Sequence, residues 1–108
     1  MQTIKVMVDY GAYPFWLLDE VPAQNLSARE LNASAGLTAD LEAWANTYDE
    51  TLDRDDPMSS GFATEQEHKE WVASGRELAS RLQKELGEGF RIIYVDHITR
   101  RVEDVALG

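Results

Sequence analysis

The sequence predicts an α+β fold: a mostly antiparallel sheet of about four strands, in the order β-β-α-α-β-β, with two helices packed against it. Three observations predict it. Apolar residues alternate near the N-terminus, two central stretches repeat apolar residues at helical spacing behind capping signals, and an apolar run at Phe90–Val95 is followed by a turn and a short return segment. A chain of 108 residues has room for about one core, so residues 1–108 are read as a single acidic domain.

The elements follow in order. Over Thr3–Asp9, Ile4, Val6 and Val8 point one way and Lys5, Met7 and Asp9 the other, the pattern of a strand. Gly11 and Pro14 break it, and the all-apolar run Phe15–Leu18 suits a second strand buried on both faces. Residues 19–37 carry the weakest signals. Ser27-Ala-Arg-Glu30 fits a capping box, so a helical turn is expected at 27–33, with Gly36 ending it.

The first long helix is expected at about Thr38–Asp53 with Thr38 as N-cap, and Leu41, Trp44, Ala45, Tyr48 and Leu52 form its core stripe. Arg54–Ala63, which contains Asp-Asp-Pro-Met-Ser-Ser-Gly, reads as a loop. Thr64-Glu-Gln-Glu67 opens a second helix of about 65–86, which buries Trp71, Gly75, Leu78, Ala79, Leu82 and Leu86 and stops at Gly87. Gly75 on that apolar face implies a tight approach by another element, since glycine costs about 1 kcal/mol against alanine in a helix. Phe90–Val95 is a strand, and Asp96–Arg100 a hairpin turn returning as Arg101–Val105.

Charge is the outstanding feature. The chain has 10 Lys plus Arg against 20 Asp plus Glu, a net of −10, and residues 1–60 hold 11 of the acids but 3 of the bases. Such asymmetry favours a basic partner and repels nucleic acid. With no cysteine there is no disulfide framework, thiolate zinc site or cysteine nucleophile, which fits a reducing cytosol. The opening MQTIKVMVDYG lacks the apolar core of a signal peptide, and no apolar run approaches the roughly 20 residues that span a membrane. A cytoplasmic protein without membrane contact is expected.

The two helices carry charge differently. On the second, Glu65 precedes Lys69 and Glu77 precedes Arg81 at the favourable i, i+4 spacing. On the first, Glu42, Asp49 and Asp53 fall within about 40° on an ideal wheel, with no base on the helix to pair them. Asp55 and Asp56 continue the negative run. The plain reading is a solvated face; the functional one is a landing surface for a partner's Lys and Arg. A calcium loop starting at Asp53 fails, because its fifth, sixth and twelfth positions are Pro57, Met58 and Thr64.

Other chemistry finds little support. His68, expected to be exposed, and His97 have no neighbours at metal-ligand spacing. Ser59-Ser60-Gly61 lacks the glycine that precedes the serine of a nucleophile elbow. No catalytic, cofactor or metal site is expected, although an acid–base hydrolase built on Asp9, Asp19 and Asp96 is the enzyme alternative. Trp16, Trp44 and Trp71 read as core. Tyr13, beside a Gly/Pro break, reads either as core or as an interface anchor.

One set of motifs combines Val8-Asp-Tyr-Gly11, Pro14-x-Trp16, Trp44-x-x-x-Tyr48-Asp49-x-x-Leu52, Asp56-Pro-x-x-Ser-Gly-Phe62, Gly75-x-x-Leu-Ala and Glu85-Leu-Gly87. It resembles a group of small acidic bacterial proteins, some of them similar to immunity proteins of contact-dependent growth inhibition systems. The resemblance carries no functional residue over. It implies a cytoplasmic protein that neutralises the basic C-terminal toxin domain of a secreted effector, commonly a nuclease. The expected partner-binding residues are Glu42, Asp49, Asp53, Asp55 and Asp56, joined by Asp19, Glu20 and Tyr13. An accessory subunit docking a non-toxic basic protein is the remaining alternative, and nothing in the sequence bears on oligomeric state.

Overall fold

The computed structural model describes residues 1–52 and 61–105. Its strands are β1 (Gln2–Val6), β2 (Phe15–Leu17), β3 (Gln24–Leu26), β4 (Phe90–Val95) and β5 (Val102–Asp104). Its helices are α1 (Ala35–Asp49) and α2 (Glu65–Leu86), with 3₁₀ turns at Ala28–Leu31 and Gly87–Gly89. The α+β class stands, but the sheet has five strands, not about four, in the order β3-β2-β1-β4-β5. It is mixed. The β1–β2, β2–β3 and β4–β5 pairs are antiparallel and the central β1–β4 pair is parallel. The two helices lie between β1 and β4 in the chain and return it to the end from which β1 started, which makes that pair parallel.

Alternation sets the layers. Ile4 and Val6 of β1, Phe15 and Leu17 of β2, and Ile92 and Tyr94 of β4 are buried on the helical side. Lys5, paired in register with Trp16 and Ile93, faces away from it. Trp16 is therefore half-buried on the outer face instead of in the core, its indole N–H donating to the Met7 carbonyl at 3.0 Å. The run Phe15–Leu18 looked buried on both sides because it is all apolar, but the helices cover one side.

The helix starts differ from expectation in one case. Ser34, not Thr38, caps α1: its Oγ accepts from the Leu37 N–H at 3.3 Å, and Gly36 lies inside the first turn instead of ending the preceding one. Glu85 of α2 holds Ser34 in place, accepting from its N–H at 2.7 Å and its hydroxyl at 2.8 Å. That partner is 51 residues away, so no local signal announces it. The preceding 3₁₀ turn ends at Asn32, in the left-handed region at φ 59°. Helix α1 ends at Asp49, four residues before the expected end at Asp53, a residue that lies outside the described ones. Helix α2 matches expectation: the Thr64 hydroxyl accepts from the Glu67 N–H at 3.1 Å, and Gly87 stops the helix at φ 74°.

The centre of the core is aromatic. Trp44 of α1 and Trp71 of α2 stack at 4.6 Å with 4° between their planes. Each indole N–H donates to the other's backbone carbonyl, both at 3.0 Å. This reciprocal pair satisfies two buried donors and joins the helices at once. Gly75, buried on α2, leaves the space that Trp44 and the Tyr94 hydroxyl occupy. Tyr94 donates to the Val72 carbonyl at 2.8 Å, tying β4 to α2.

Candidate protein interface

Helix α1 supplies the base-free face. Its sequence, AGLTADLEAWANTYD, contains no Lys or Arg. Leu37, Leu41, Trp44 and Tyr48 face the core, which leaves Glu42 and Asp49 two turns apart on the flank toward the β1–β2 loop. That flank, Tyr13 and Pro14 from the loop, and Ala28 enclose a groove of about 180 Å³. The structure thus brings together Tyr13, Glu42 and Asp49, and among the described residues no Lys or Arg lines the groove.

The loop is built to hold Tyr13 outward. Gly11 turns the chain at φ 80°, and the Met7 N–H donates to the Pro14 carbonyl at 2.8 Å. Asn25 of β3 then clamps the Tyr13 backbone from both sides. Its Oδ1 accepts from the Tyr13 N–H at 2.9 Å and its Nδ2 donates to the Tyr13 carbonyl at 2.6 Å. The residue is 56 % exposed, so the ring projects from a fixed backbone. Of the two sequence readings of Tyr13, core or anchor, the first fails. Beside it, Tyr10 stacks on Tyr48 at 4.5 Å and its hydroxyl shares a hydrogen bond with Thr51 Oγ1 at 2.6 Å, joining the loop to the end of α1. Burial first, and then Tyr10 and Asp9, push the Tyr48 hydroxyl up to about 12. It is uncharged at neutral pH.

The remaining acids divide into paired and unpaired. Arg29, from the 3₁₀ turn, reaches Glu42 at 3.2 Å, a partner the helix sequence alone could not reveal. With Arg29 84 % exposed, that pair is weak and open to exchange. Arg81 pairs with Asp40 across the helix interface at 2.8 Å, not with Glu77 as its spacing suggested; the facing helix offers a carboxylate in line with the guanidinium. The expected Glu65–Lys69 pair is present at 3.7 Å. Asp49 and Glu50 have no ion-pair partner among the described residues. Asp53, Asp55 and Asp56 lie outside the described residues.

Asp19 and Glu20 sit elsewhere. Asp19 Oδ1 accepts from the Thr3 N–H at 2.6 Å, at the end of the β1–β2 hairpin opposite Tyr13. Glu20 is exposed beside it. These two do not share the groove.

The acid–base alternative also comes apart. Asp96 closes the β4–β5 turn, accepting from the N–H groups of Ile98 at 2.8 Å and Thr99 at 3.0 Å, and it meets Arg76 at 2.8 Å. Burial opposes its charge, but the Thr99 and Ile98 N–H groups and Arg76 outweigh it and hold the carboxyl below its usual range. A general acid needs the reverse shift. Asp19 lies at the far end of the hairpin, so the three carboxylates do not converge.

Sequence spacing missed one contact entirely. His68 is half-buried, stacked on Phe62 at 4.7 Å, and its Nε2 lies 2.8 Å from His97 Nδ1. One imidazole must donate and the other accept, so the pair shares a single proton. His97 stands edge-on to Tyr48 and Trp71. Among the described residues no three His, Asp or Glu side chains gather as a metal site, and no helix is long and apolar enough to cross a membrane.

Comparison with known families gives one result. A family model described as Serratia CdiI immunity protein-like matches residues 2–97. No curated protein matches the chain.

Proposed function

The chain belongs to the Serratia CdiI immunity protein-like family, and from that premise we propose that it binds and neutralises a basic toxin domain through the acidic flank of α1 and the Tyr13 loop. The toxin is the C-terminal domain of a secreted effector. A nuclease fits best, since an enzyme that holds phosphate needs a positive surface, and carboxylates can match that surface group for group. The protein acts in the cytoplasm by occupying its partner, without turnover.

One observation carries this reading: an exposed tyrosine on a clamped backbone borders a groove lined by Glu42 and Asp49 and, among the described residues, by no base. Tyrosine offers a large contact area with few rotors to order, and prior clamping of its backbone lowers the cost of docking. The carboxylates steer encounter, and Asp53, Asp55 and Asp56 extend the charge along the chain. Arg29 leaves Glu42 when a partner's cation replaces it.

The test uses the purified C-terminal toxin domain of the cognate secreted effector. In stopped-flow or surface plasmon resonance measurements, Glu42→Gln with Asp49→Asn is expected to slow association about tenfold at low salt and to flatten the salt dependence. Tyr13→Ala is expected to speed dissociation, with a loss of about 2 kcal/mol. Unchanged association and dissociation rates in both variants at low salt would remove this surface from the reading.

A further inference from the structure

Helix α1 has a second groove on its other flank. It runs between α1 and α2, has a volume of about 500 Å³, and is walled by Phe62, the edges of Trp44 and Trp71, and Leu78. Asp40, Glu67 and Glu70 also line it, and among the described residues no Lys or Arg does. Arg81 engages Asp40 at 2.8 Å, and Glu70 accepts from Gln66 at 3.1 Å. The Glu67 carboxylate has no ion-pair partner among the described residues. Between the two grooves α1 exposes Ala39, Ala43, Asn46 and Thr47.

We propose that the α1–α2 groove receives an arginine of the toxin domain, so that the partner straddles α1 with one contact in each groove. This rests on the toxin-binding reading above. The choice of occupant comes from the chemistry of the walls. Phe62 carries His68 on one face at 4.7 Å and lies tilted against Trp71 with ring centres 5.2 Å apart, so it is the remaining side of the half-buried ring that is offered to a flat cation. A guanidinium can stack on that surface while its N–H groups meet the carboxylates of Glu67 and Glu70. A neutral apolar side chain would leave the Glu67 carboxylate facing a desolvated contact without a donor, and an acidic one would be repelled. Lysine matches the charge but not the flat shape.

Two measurements test it. In the first, the isotope-labelled protein is titrated with a tetra-arginine peptide at low salt. Chemical-shift changes are expected to concentrate in residues 43–47 and 67–74 and to exceed those from tetralysine. Changes spread evenly over every exposed carboxylate, or confined to the Tyr13 groove, overturn the proposal.

In the second, binding of the cognate toxin domain is compared across groove variants. Ala43→Arg places a cation on the exposed rim where the partner's would lie, and is expected to weaken binding at least about tenfold without loss of stability. Glu67→Gln with Glu70→Gln is expected to weaken it about fivefold. If these variants bind as wild type while Glu42→Gln with Asp49→Asn does not, the straddling mode falls and the toxin-binding reading stands. If wild-type protein does not bind the toxin domain, both fall.

Discussion

Replacing Gly75 with alanine sets two opposing effects against each other at one atom. A methyl group there would improve helix propensity by about 1 kcal/mol. It would also stand 2.5 Å from the Tyr94 hydroxyl oxygen and 2.6 Å from Trp44 Cε2, with Trp44 Cζ2 nearer still. Ordinary carbon contacts lie at roughly 3.5–4 Å, so a neighbour must move by about 1 Å. Neither can do so cheaply. Trp44 is held by the two indole–carbonyl bonds to Trp71, and Tyr94 by its bond to Val72. Overpacking costs about 1–3 kcal/mol, and a buried hydrogen bond broken in the process costs about 1–3 more. Net of the propensity gain, Gly75→Ala is expected to destabilise the protein by about 3 kcal/mol.

The assay is urea unfolding followed by tryptophan fluorescence and circular dichroism. Gly36→Ala serves as the control, because a Cβ at that helical position meets nothing within 4 Å. It is expected to stabilise by about 0.4–1 kcal/mol. If Gly75→Ala proved as stable as wild type, or gained stability alongside Gly36→Ala, propensity would have outweighed packing and the close helix contact would be refuted.

Three further outcomes are expected. His97 has its pKa lowered, by burial first and then by Arg100 and His68. The unfolded chain therefore takes up a proton before the folded one, and stability is full above about pH 6.5 and declines as pH falls below it; unfolding measured from pH 7.5 to 5 should show a shallower decline in His97→Gln, and an unchanged slope would count against the assignment. Asp96→Asn is expected to cost about 1–2 kcal/mol at pH 7. Because the folded carboxyl titrates below its usual range, that difference should persist down to about pH 4 and shrink below it, as urea unfolding in acid buffers would show. Asn25→Ala removes both bonds to the Tyr13 backbone and should cost about 1 kcal/mol or more, with faster amide exchange at Tyr13 and weaker toxin binding.

Legibility in the sequence followed the range of the deciding contacts. Helix α2 was readable at both ends because Thr64 and Gly87 act within one turn of it. Helix α1 was not, since its cap is stabilised by Glu85 from the far end of α2. Strand β3 has three residues and depends on pairing with β2, so it carries no periodic signal of its own. The parallel β1–β4 pair is equally a product of the assembled layers. Within the interface, the grouping of Glu42 with Asp49 was visible from helical spacing alone. The contribution of Arg29, the Asn25 clamp and the His68–His97 contact was not, for each joins residues at least 12 positions apart.

The crossed bonds between Trp44 and Trp71 bear on how such a protein diversifies. Sliding one helix along the other would break both bonds together, so the register of the outer face of α1 is locked from behind. The exposed side chains of α1 need satisfy no internal partner of comparable strength. They can be exchanged without disturbing either crossed bond, so the chemistry of the outer face is separable from the packing behind it.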